Sequence, residues 1–542
     1  MINTVTIVGG GFAGWYTAGV LQHKCPDLKI TIIESPHINR LRVGESLGFE
    51  SIYAWKNYLG LDTDHHMMRE TGATYKYGAI NTGFYRTGEV VAHGKFFNPK
   101  IKSLANLYNK FDYRDFYEPW NRHDGDIGAL EAWLYLNKDS NKTFEDFVVE
   151  ISDSGFFSGN PVMPYNKDNV NILRQDDGYS YHMDAEEMVS FLKWLVYSRG
   201  GVTHLSDTVR EVKLTEDGSV AGLVRESNLE TITSDVYIDC TGFARVVGKH
   251  VANDSWQDRP NNNNSAFVCP SQYTDPHKEM TCGTGFHGED YGWRFQVNLY
   301  HRRGNGYVFN SDWFDADQVK HRLEQVTGNT RLADPKLITW KPGFYSKSWS
   351  KNCILMGVAA GFIDPWDAPT FSEHTRSLED FMRGYKLHKE GKLTVEQFKN
   401  TFNQARSQGV AERDLRLRCS HGLSQRTGPY WDKKRELNKD AVQEIEDIIM
   451  ERKHDISSRL THYWQQIYVK IAVQTGQNMS AWDFKPMTQE DVEMANAYYD
   501  YNRARNKYIS QQQWPNTYEW LKANRFGGAT SEEIYQEFQG RK

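Results

Sequence analysis

Short apolar runs and amphipathic stretches alternate along the amino-terminal part of the chain. Thr4 to Val8 is apolar and predicts a strand. Trp15 to Leu21 is amphipathic and predicts a helix, and Lys29 to Ile33 is a second apolar run. Residues 1 to about 60 therefore read as one βαβ unit. Farther on, His182 opens a segment in which Met188, Phe191, Leu192 and Leu195 share one helical stripe. Asp184 is its N-cap, Glu187 the return partner, and Gly200-Gly201 the stop. Arg210 to Leu214 and Val220 to Val224 flank Asp217-Gly218 and predict a hairpin. Val236 to Ile238, Tyr291 to Tyr300, Gly306 to Asn310 and the run from Cys353 predict further strands, with Arg302-Arg303-Gly304 as a turn. From about Phe371 the spacing becomes helical, at Val395 to Arg406, Ala441 to Arg452 and Ile456 to Val473, with Thr488 and Thr530 as N-caps.

Between the first strand and the first helix lies Val8-Gly-Gly-Gly-Phe-Ala-Gly14. Gly9 permits a tight turn, Gly11 lets a pyrophosphate approach the backbone, and Gly14 lets the helix pack closely on the strand. The helix N-terminus offers unpaired N–H groups and partial positive charge to phosphate. Glu34 ends the second strand 25 positions after Gly9, where a ribose hydroxyl needs an acceptor. The glycines alone are weak evidence, since another α/β protein can use such a turn. Strand, helix, strand and acid in this order point to a dinucleotide. Further backbone contacts with it are expected at Arg42-Val-Gly-Glu-Ser46, at Asp239-Cys-Thr-Gly-Phe243, and at the Gly/Ala turn after Cys353.

The predicted order is α/β, a Rossmann-like fold with a mostly helical C-terminal region. Residues 1–375 are expected to form a discontinuous cofactor domain with an inserted sheet and cover loops at about 85–180. Residues 376–542 are expected to pack on it from the substrate side. The chain has 542 residues, more than one compact core usually uses, with 39% apolar and 13% aromatic content. Both charge signs are well mixed and the net charge is −6, so nothing marks a nucleic-acid binder. The cysteines form no CxxC pair, no run of 18 apolar residues exists, and no basic segment precedes an apolar one near Met1. A cytoplasmic protein with free thiols, no membrane span and no signal peptide is the expectation. His65-His66 and His182 lack metal-like companions, so no metal is expected. The oligomeric state is not set by the sequence, and a homo-oligomer stays open. Lys76, between two tyrosines, reads locally as a solvated edge residue whose stem packs on a ring. Its functional reading is a donor, or a carrier of an electrophile, in a pocket.

With these segments in view, the chain resembles flavin-dependent halogenases of the tryptophan-halogenase family. Ala73-Thr-Tyr-Lys76 and Phe362-Ile-Asp-Pro-Trp-Asp367 carry the likeness. So does Trp293-Arg-Phe-Gln-Val-Asn298, an altered form of the family's WxWxIP, followed by Leu299 and Gly304-Asn-Gly-Tyr-Val. The resemblance spans nearly the whole chain and is poor in the C-terminal third. It implies a fold of the flavoprotein monooxygenase and halogenase type, FAD reduced by a separate flavin reductase, O2, a halide ion and a small aromatic substrate. Hypohalous acid formed at the flavin would cross a tunnel to Lys76, shielded by Trp293 and Phe295, and Asp367 would stand for the family's catalytic glutamate. FAD would contact Gly9, Gly11, Phe12, Ala13, Gly14, Glu34, Val43, Gly44, Glu45, Val209, Asp239, Gly242, Gly357 and Ile363.

The departures from the family pattern change the expected chemistry. Asp367 is one methylene shorter than glutamate, and Val358 occupies the aspartate position of the usual Gly-Asp turn. Pro369 and Thr370 stand where a Thr-Gly pair offers backbone N–H groups to halide, and proline has none. Chloride, the most strongly hydrated of the candidate halides, should then bind less well than bromide or iodide. Tyr463-Trp464 resembles the family's substrate-side aromatic pair. The tyrosines that hold free tryptophan fall at Arg452 and Lys453, so an indole, a phenol or a larger aromatic is expected. Two other readings stay open: an aromatic hydroxylase using flavin, and a flavin-binding protein without catalysis.

Overall fold

The computed structural model describes residues 1–38, 44–48, 51–61, 63–94, 100–101, 127–137, 140, 150, 154–173, 179–366, 369–451 and 488–541. A six-stranded sheet anchors it, in the order Val202–Ser206, Lys29–Glu34, Thr4–Val8, Val236–Asp239, Cys353–Leu355, Trp349–Ser350. All its pairings are parallel except the last. Thr4–Val8 and Val236–Asp239, both predicted from their apolar runs, are buried along nearly their whole length, as central parallel strands must be. Thr4–Val8 lies between Lys29–Glu34 and Val236–Asp239, so the strand order reverses beside it. The crevice at the carboxyl ends of such strands is where open α/β sheets bind ligands.

A seven-stranded sheet follows, in the order Lys336–Thr339, Ser265–Ser271, Arg303–Phe309, Gly292–Asn298, Gly283–Glu289, Gly78–Thr82, Val90–Gly94. A three-stranded sheet, Gly44–Ser46, Ser180–Asp184 and Thr74–Lys76, links the two larger ones. Its third strand runs through Tyr77 into Gly78–Thr82, and its middle strand runs into the helix Ala185–Arg199. That helix packs on Phe12–Lys24 of the first unit.

Several boundaries differ from the sequence reading. His182 lies on the strand Ser180–Asp184 rather than in the helix, which starts at Ala185. Asp184 is the N-cap as expected, accepting from the N–H groups of Glu186 and Glu187. It also takes the Arg302 guanidinium at 2.6 Å and His301 at 3.2 Å. Burial alone would raise the Asp184 carboxyl, and Arg302 and His301 hold it well below its ordinary value instead. The turn between the long strands is Leu299 to Arg302, and Arg303 and Gly304 already belong to the second strand. The hairpin Val209–Leu214 with Val220–Arg225 forms as the pattern predicts.

The helix read at Val395 to Arg406 continues to Leu423, because Leu415, Leu417 and Cys419 bury a face beyond the charged stretch. Thr488 and Thr530 each close a capping box, with Asp491 and Glu533 respectively. Ile456 to Val473 lies outside the described residues. The helix Pro369–Lys389 runs unbroken through position 375. One core joins Ile2 and Val5 to Tyr518, Phe526 and Phe538. Tyr300 stacks on Phe526 at 3.7 Å, and Arg525 donates to the Tyr75 hydroxyl at 2.6 Å.

The glycines of the first turn separate into two physical roles. A Cβ on Gly14 would meet the Gly9 carbonyl oxygen at 1.8 Å, and Gly9 itself has φ of +113°. Gly11 has an ordinary φ of −79°, and a Cβ there would meet nothing within 4 Å. Gly14→Ala should therefore cost about 1–3 kcal/mol through forced movement of backbone against backbone. Gly11→Ala should stay within about 0.5 kcal/mol of wild type in the protein without ligand. Calorimetric unfolding of the two variants checks this, and equal Tm values would refute the close-approach assignment.

Candidate active site

The Val8-to-Gly14 turn sits at the point of strand reversal. Gly9 donates its N–H to Ile33 at 2.9 Å, and its missing Cβ admits the Cys240 carbonyl, which a methyl group would meet at 2.6 Å. Gly11 caps the helix Phe12–Lys24 from outside, and its side-chain direction is open. That position needs no left-handed backbone, so what glycine provides there is room beside the helix N-terminus. The room, the helix dipole and the turn fit the diphosphate of a dinucleotide. Phe12 stacks on Tyr16 at 5.5 Å, and Ala13 faces the Gly357 turn.

Glu34 reaches the same turn. A Cβ on Gly10 would meet the Glu34 Cγ at 2.1 Å. The Glu34 carboxylate also accepts from Lys193 at 2.9 Å and lies 3.2 Å from His204. Val209 starts the next hairpin just past this end of the sheet, where Asp207 N–H donates to the Glu34 carbonyl at 2.9 Å. Asp239 is fully buried, and its carboxylate accepts from Thr241 N–H and hydroxyl and from the N–H groups of Val247 and Gly248. The acid thus builds the turn, and the turn presents Gly242 outward, at φ of +62° with nothing within 4 Å of a Cβ. Gly357 has φ of +61° in the third glycine turn.

The strand Gly44–Ser46 crosses from this region towards Lys76. Gly44 approaches Gly304 so closely that a Cβ on Gly304 would meet the Gly44 Cα at 3.0 Å. Burial pushes the Glu45 carboxyl up to about 7. Val43 lies outside the described residues. Lys76 does not behave as a solvated edge residue. It is 9% exposed, and its ammonium donates to the Leu47 carbonyl at 2.9 Å. Its acceptor Leu47 follows Gly44–Ser46, on the far side of the middle strand, which the local sequence of Lys76 does not reveal. Ser180, paired with Lys76 across the sheet, donates to Leu47 and Gly48 carbonyls at 3.0 and 2.7 Å and meets Ser51 at 2.9 Å. On the same face, His182 contacts Thr284 at 2.9 Å, and Thr284 contacts Ser46 at 2.8 Å. Burial, then the Lys76 charge, push the His182 imidazole down to about 3, so it is neutral.

Trp293 is fully buried, and Phe295 is half-buried beside it at 6.2 Å. Phe84 packs edge-on against Trp293 at 6.0 Å and stacks on Trp366 at 6.1 Å. The altered tryptophan motif and the segment Phe362 to Trp366 thereby share one aromatic cluster. Ile363 is buried in that segment. Pro369, buried, and Thr370 open the helix Pro369–Lys389, so the first turn lacks the N–H of Pro369. Asp367, Tyr463, Trp464, Arg452 and Lys453 lie outside the described residues.

The sequence reading passed over Asp364. It accepts from Trp366 N–H at 2.9 Å and from the Asn263 amide at 2.7 Å, and burial raises its carboxyl to about 6. An Asp two residues before a turn residue is an Asx-turn signal, and it was available in Asp364-Pro-Trp. Burial lowers the Lys434 ammonium to about 8, and it donates to the Asn261 carbonyl at 2.9 Å. Among the described residues no group of three or more side chains could hold a metal ion, and no helix is long and apolar enough to cross a membrane.

The chain is 28% identical over 378 residues to the 7-chloro-L-tryptophan 6-halogenase KtzR of Kutzneria sp., covering 67% of this chain and 69% of that one. Its fold matches the crystal structure of a tryptophan halogenase from Shewanella frigidimarina with a TM-score of 0.78 at 20% identity, over 98% of this chain and 99% of that one. It matches BrvH, a flavin-dependent halogenase from Brevundimonas sp. BAL3, with a TM-score of 0.74 at 21% identity, over 96% and 99%. The family model for tryptophan halogenase matches residues 4–492. With that match over nearly its whole length, the chain belongs to the tryptophan halogenase family of flavin-dependent oxidoreductases.

Proposed function

We propose that the protein is an FADH2-dependent halogenase that delivers halogen to an electron-rich aromatic through Lys76, with bromide or iodide favoured over chloride. The observation that carries this reading is the buried Lys76 ammonium, aimed at a backbone carbonyl and shielded from bulk water. Reduced FAD, supplied by a separate reductase, would provide with O2 the oxidising power that converts halide to hypohalous acid. The residues proposed to hold it are Gly9 to Gly14, Glu34, Val43 to Glu45, Val209, and the turns at Asp239 to Gly242, Gly357 and Ile363. Lys76 then holds the halogen against the substrate, and Asp367 orients it or takes a proton. Trp293 and Phe295, inside a continuous ring cluster, keep water from the path. All six cysteines are free and buried, which supports a reducing, cytoplasmic setting.

Replacing Lys76 by Ala should abolish halogenated product while flavin reoxidation and hydrogen peroxide release continue. Product analysis beside oxygen consumption checks this. Halogenation surviving the substitution would remove Lys76 from the chemistry, and a hydroxylated product would favour the hydroxylase reading.

The halide preference rests on Pro369 in the first turn of the helix Pro369–Lys389. With one N–H fewer, an anion there recovers less of its hydration, and chloride has the most hydration to recover. The tyrosine positions taken by Arg452 and Lys453 support an indole or phenol in place of free tryptophan. Competition between equal concentrations of chloride and bromide, with a set of indoles and phenols, should give mainly brominated product. Chlorinated product in excess would overturn the preference.

A further inference from the structure

The two oxygens of the Glu34 carboxylate have different neighbours. Oε1 lies over the glycine turn, where a Cβ on Gly10 would meet it at 2.5 Å. Oε2 lies 2.9 Å from the Lys193 ammonium and 3.2 Å from His204 Nε2. The side chain keeps 13% of its surface exposed, so the acid is not sealed by the protein. His204 is on the strand Val202–Ser206, two residues before Ser206, the register partner of Glu34. The two side chains therefore share one face of the sheet. His204 Nδ1 lies 2.7 Å from the Tyr197 hydroxyl. Burial, then the Lys193 charge, hold the imidazole below its ordinary value, so the ring is neutral at pH 7. A neutral imidazole has one donor and one acceptor, and a carboxylate only accepts. The proton is therefore on Nε2, facing Glu34, and Nδ1 accepts from Tyr197. Lys193 and Tyr197 are four positions apart on the helix Ala185–Arg199 and share its face. All three side chains rest on Trp15, one position past Gly14: its ring is 5.2 Å from His204 and 5.7 Å from Tyr197, and the Lys193 ammonium is 5.3 Å from its centre.

We propose that Lys193, His204 and Tyr197 are positioning residues for the cofactor, holding Glu34 by Oε2 so that Oε1 is presented to a ribose hydroxyl in the adenosine half of FAD. Lys193 and His204 hold the carboxylate directly. Tyr197 acts through His204, by fixing the tautomer that turns an N–H towards Glu34. A glutamate without such partners spreads over several rotamers, and binding would have to freeze it. Here the cost is met in folding, and the ring that supports the three side chains belongs to the helix whose N-terminus faces the diphosphate. The inference rests on the FAD-dependent reading above and says how one of its contacts is oriented.

The test is titration of the apoprotein, followed by flavin fluorescence, with oxidised FAD and with FAD whose adenosine half lacks the ribose 2′-hydroxyl. Wild type should bind FAD about tenfold more tightly than the deoxy compound. His204→Phe keeps a ring on Trp15 and removes the donor; it should raise the Kd for FAD about fivefold and leave that of the deoxy compound unchanged. Tyr197→Phe removes one hydroxyl at an exposed position, and should raise the Kd for FAD about twofold with the same selectivity. It carries the test if the His204 variant fails to fold. Unchanged FAD binding in both variants, or equal losses for the two compounds, overturns the inference. A wild-type chain that binds the two compounds equally removes the ribose role of Glu34 and the inference with it. A wild-type chain that binds neither overturns the FAD-dependent reading itself, so the failures are distinct.

Discussion

The physical constraint on which the site depends is an ammonium group taken out of water. Removing such a charge from solvent costs several kcal/mol unless a strong acceptor meets it. Lys76 has that acceptor in the Leu47 carbonyl, and Ser180, its partner across the sheet, donates to the same carbonyl. The carbonyl belongs to the segment that leaves Gly44–Ser46, whose other end is pressed against Gly304. One short stretch therefore touches both the strand pair carrying Trp293 and the lysine. A displacement of this stretch would break the contact of the amine with the Leu47 carbonyl, and the stretch is also held by pairing with Ser180–Asp184.

Around that amine the protein keeps its polar groups neutral or fully engaged. His182 is held neutral by burial, and Asp184 at the end of the same strand is taken up by Arg302 and His301. Glu45, on the opposite face of the small sheet, is pushed by burial towards its protonated form. The rings from Phe84 to Trp366 supply the dry neighbourhood at the other sheet.

How much of this was legible in the chain follows from the reach of each interaction. Gly9 and Gly14 were legible because the clash they avoid lies within the same turn. Thr488 and Thr530 were legible because a capping box spans only three residues. Lys76 was read locally as a solvated edge residue because its cover comes from Leu47 and Ser180, positions that nothing adjacent to it announces. Asp184 was read as a cap, and its pairing with Arg302 lies 118 residues away. Asp239 was read as a contact of the turn. Its carboxylate also binds the N–H groups of Thr241, Val247 and Gly248, because a fully buried acid must find donors wherever the chain returns.

Two of the departures from the family pattern fall at the start of one helix. Pro369 and Thr370 open the helix Pro369–Lys389, and His374 follows on it. That helix is bound to the first one by Thr17 to His374, by Tyr16 to Thr375 at 3.1 Å, and by Phe12 and Tyr16 against Phe371. The glycine turn and Pro369 thus lie at the starts of two helices packed against each other. A substitution at the start of the second helix cannot relax by tilting it without disturbing the glycine cradle. The N–H missing at Pro369 therefore belongs to a helix whose first turns are already fixed by packing on the first one.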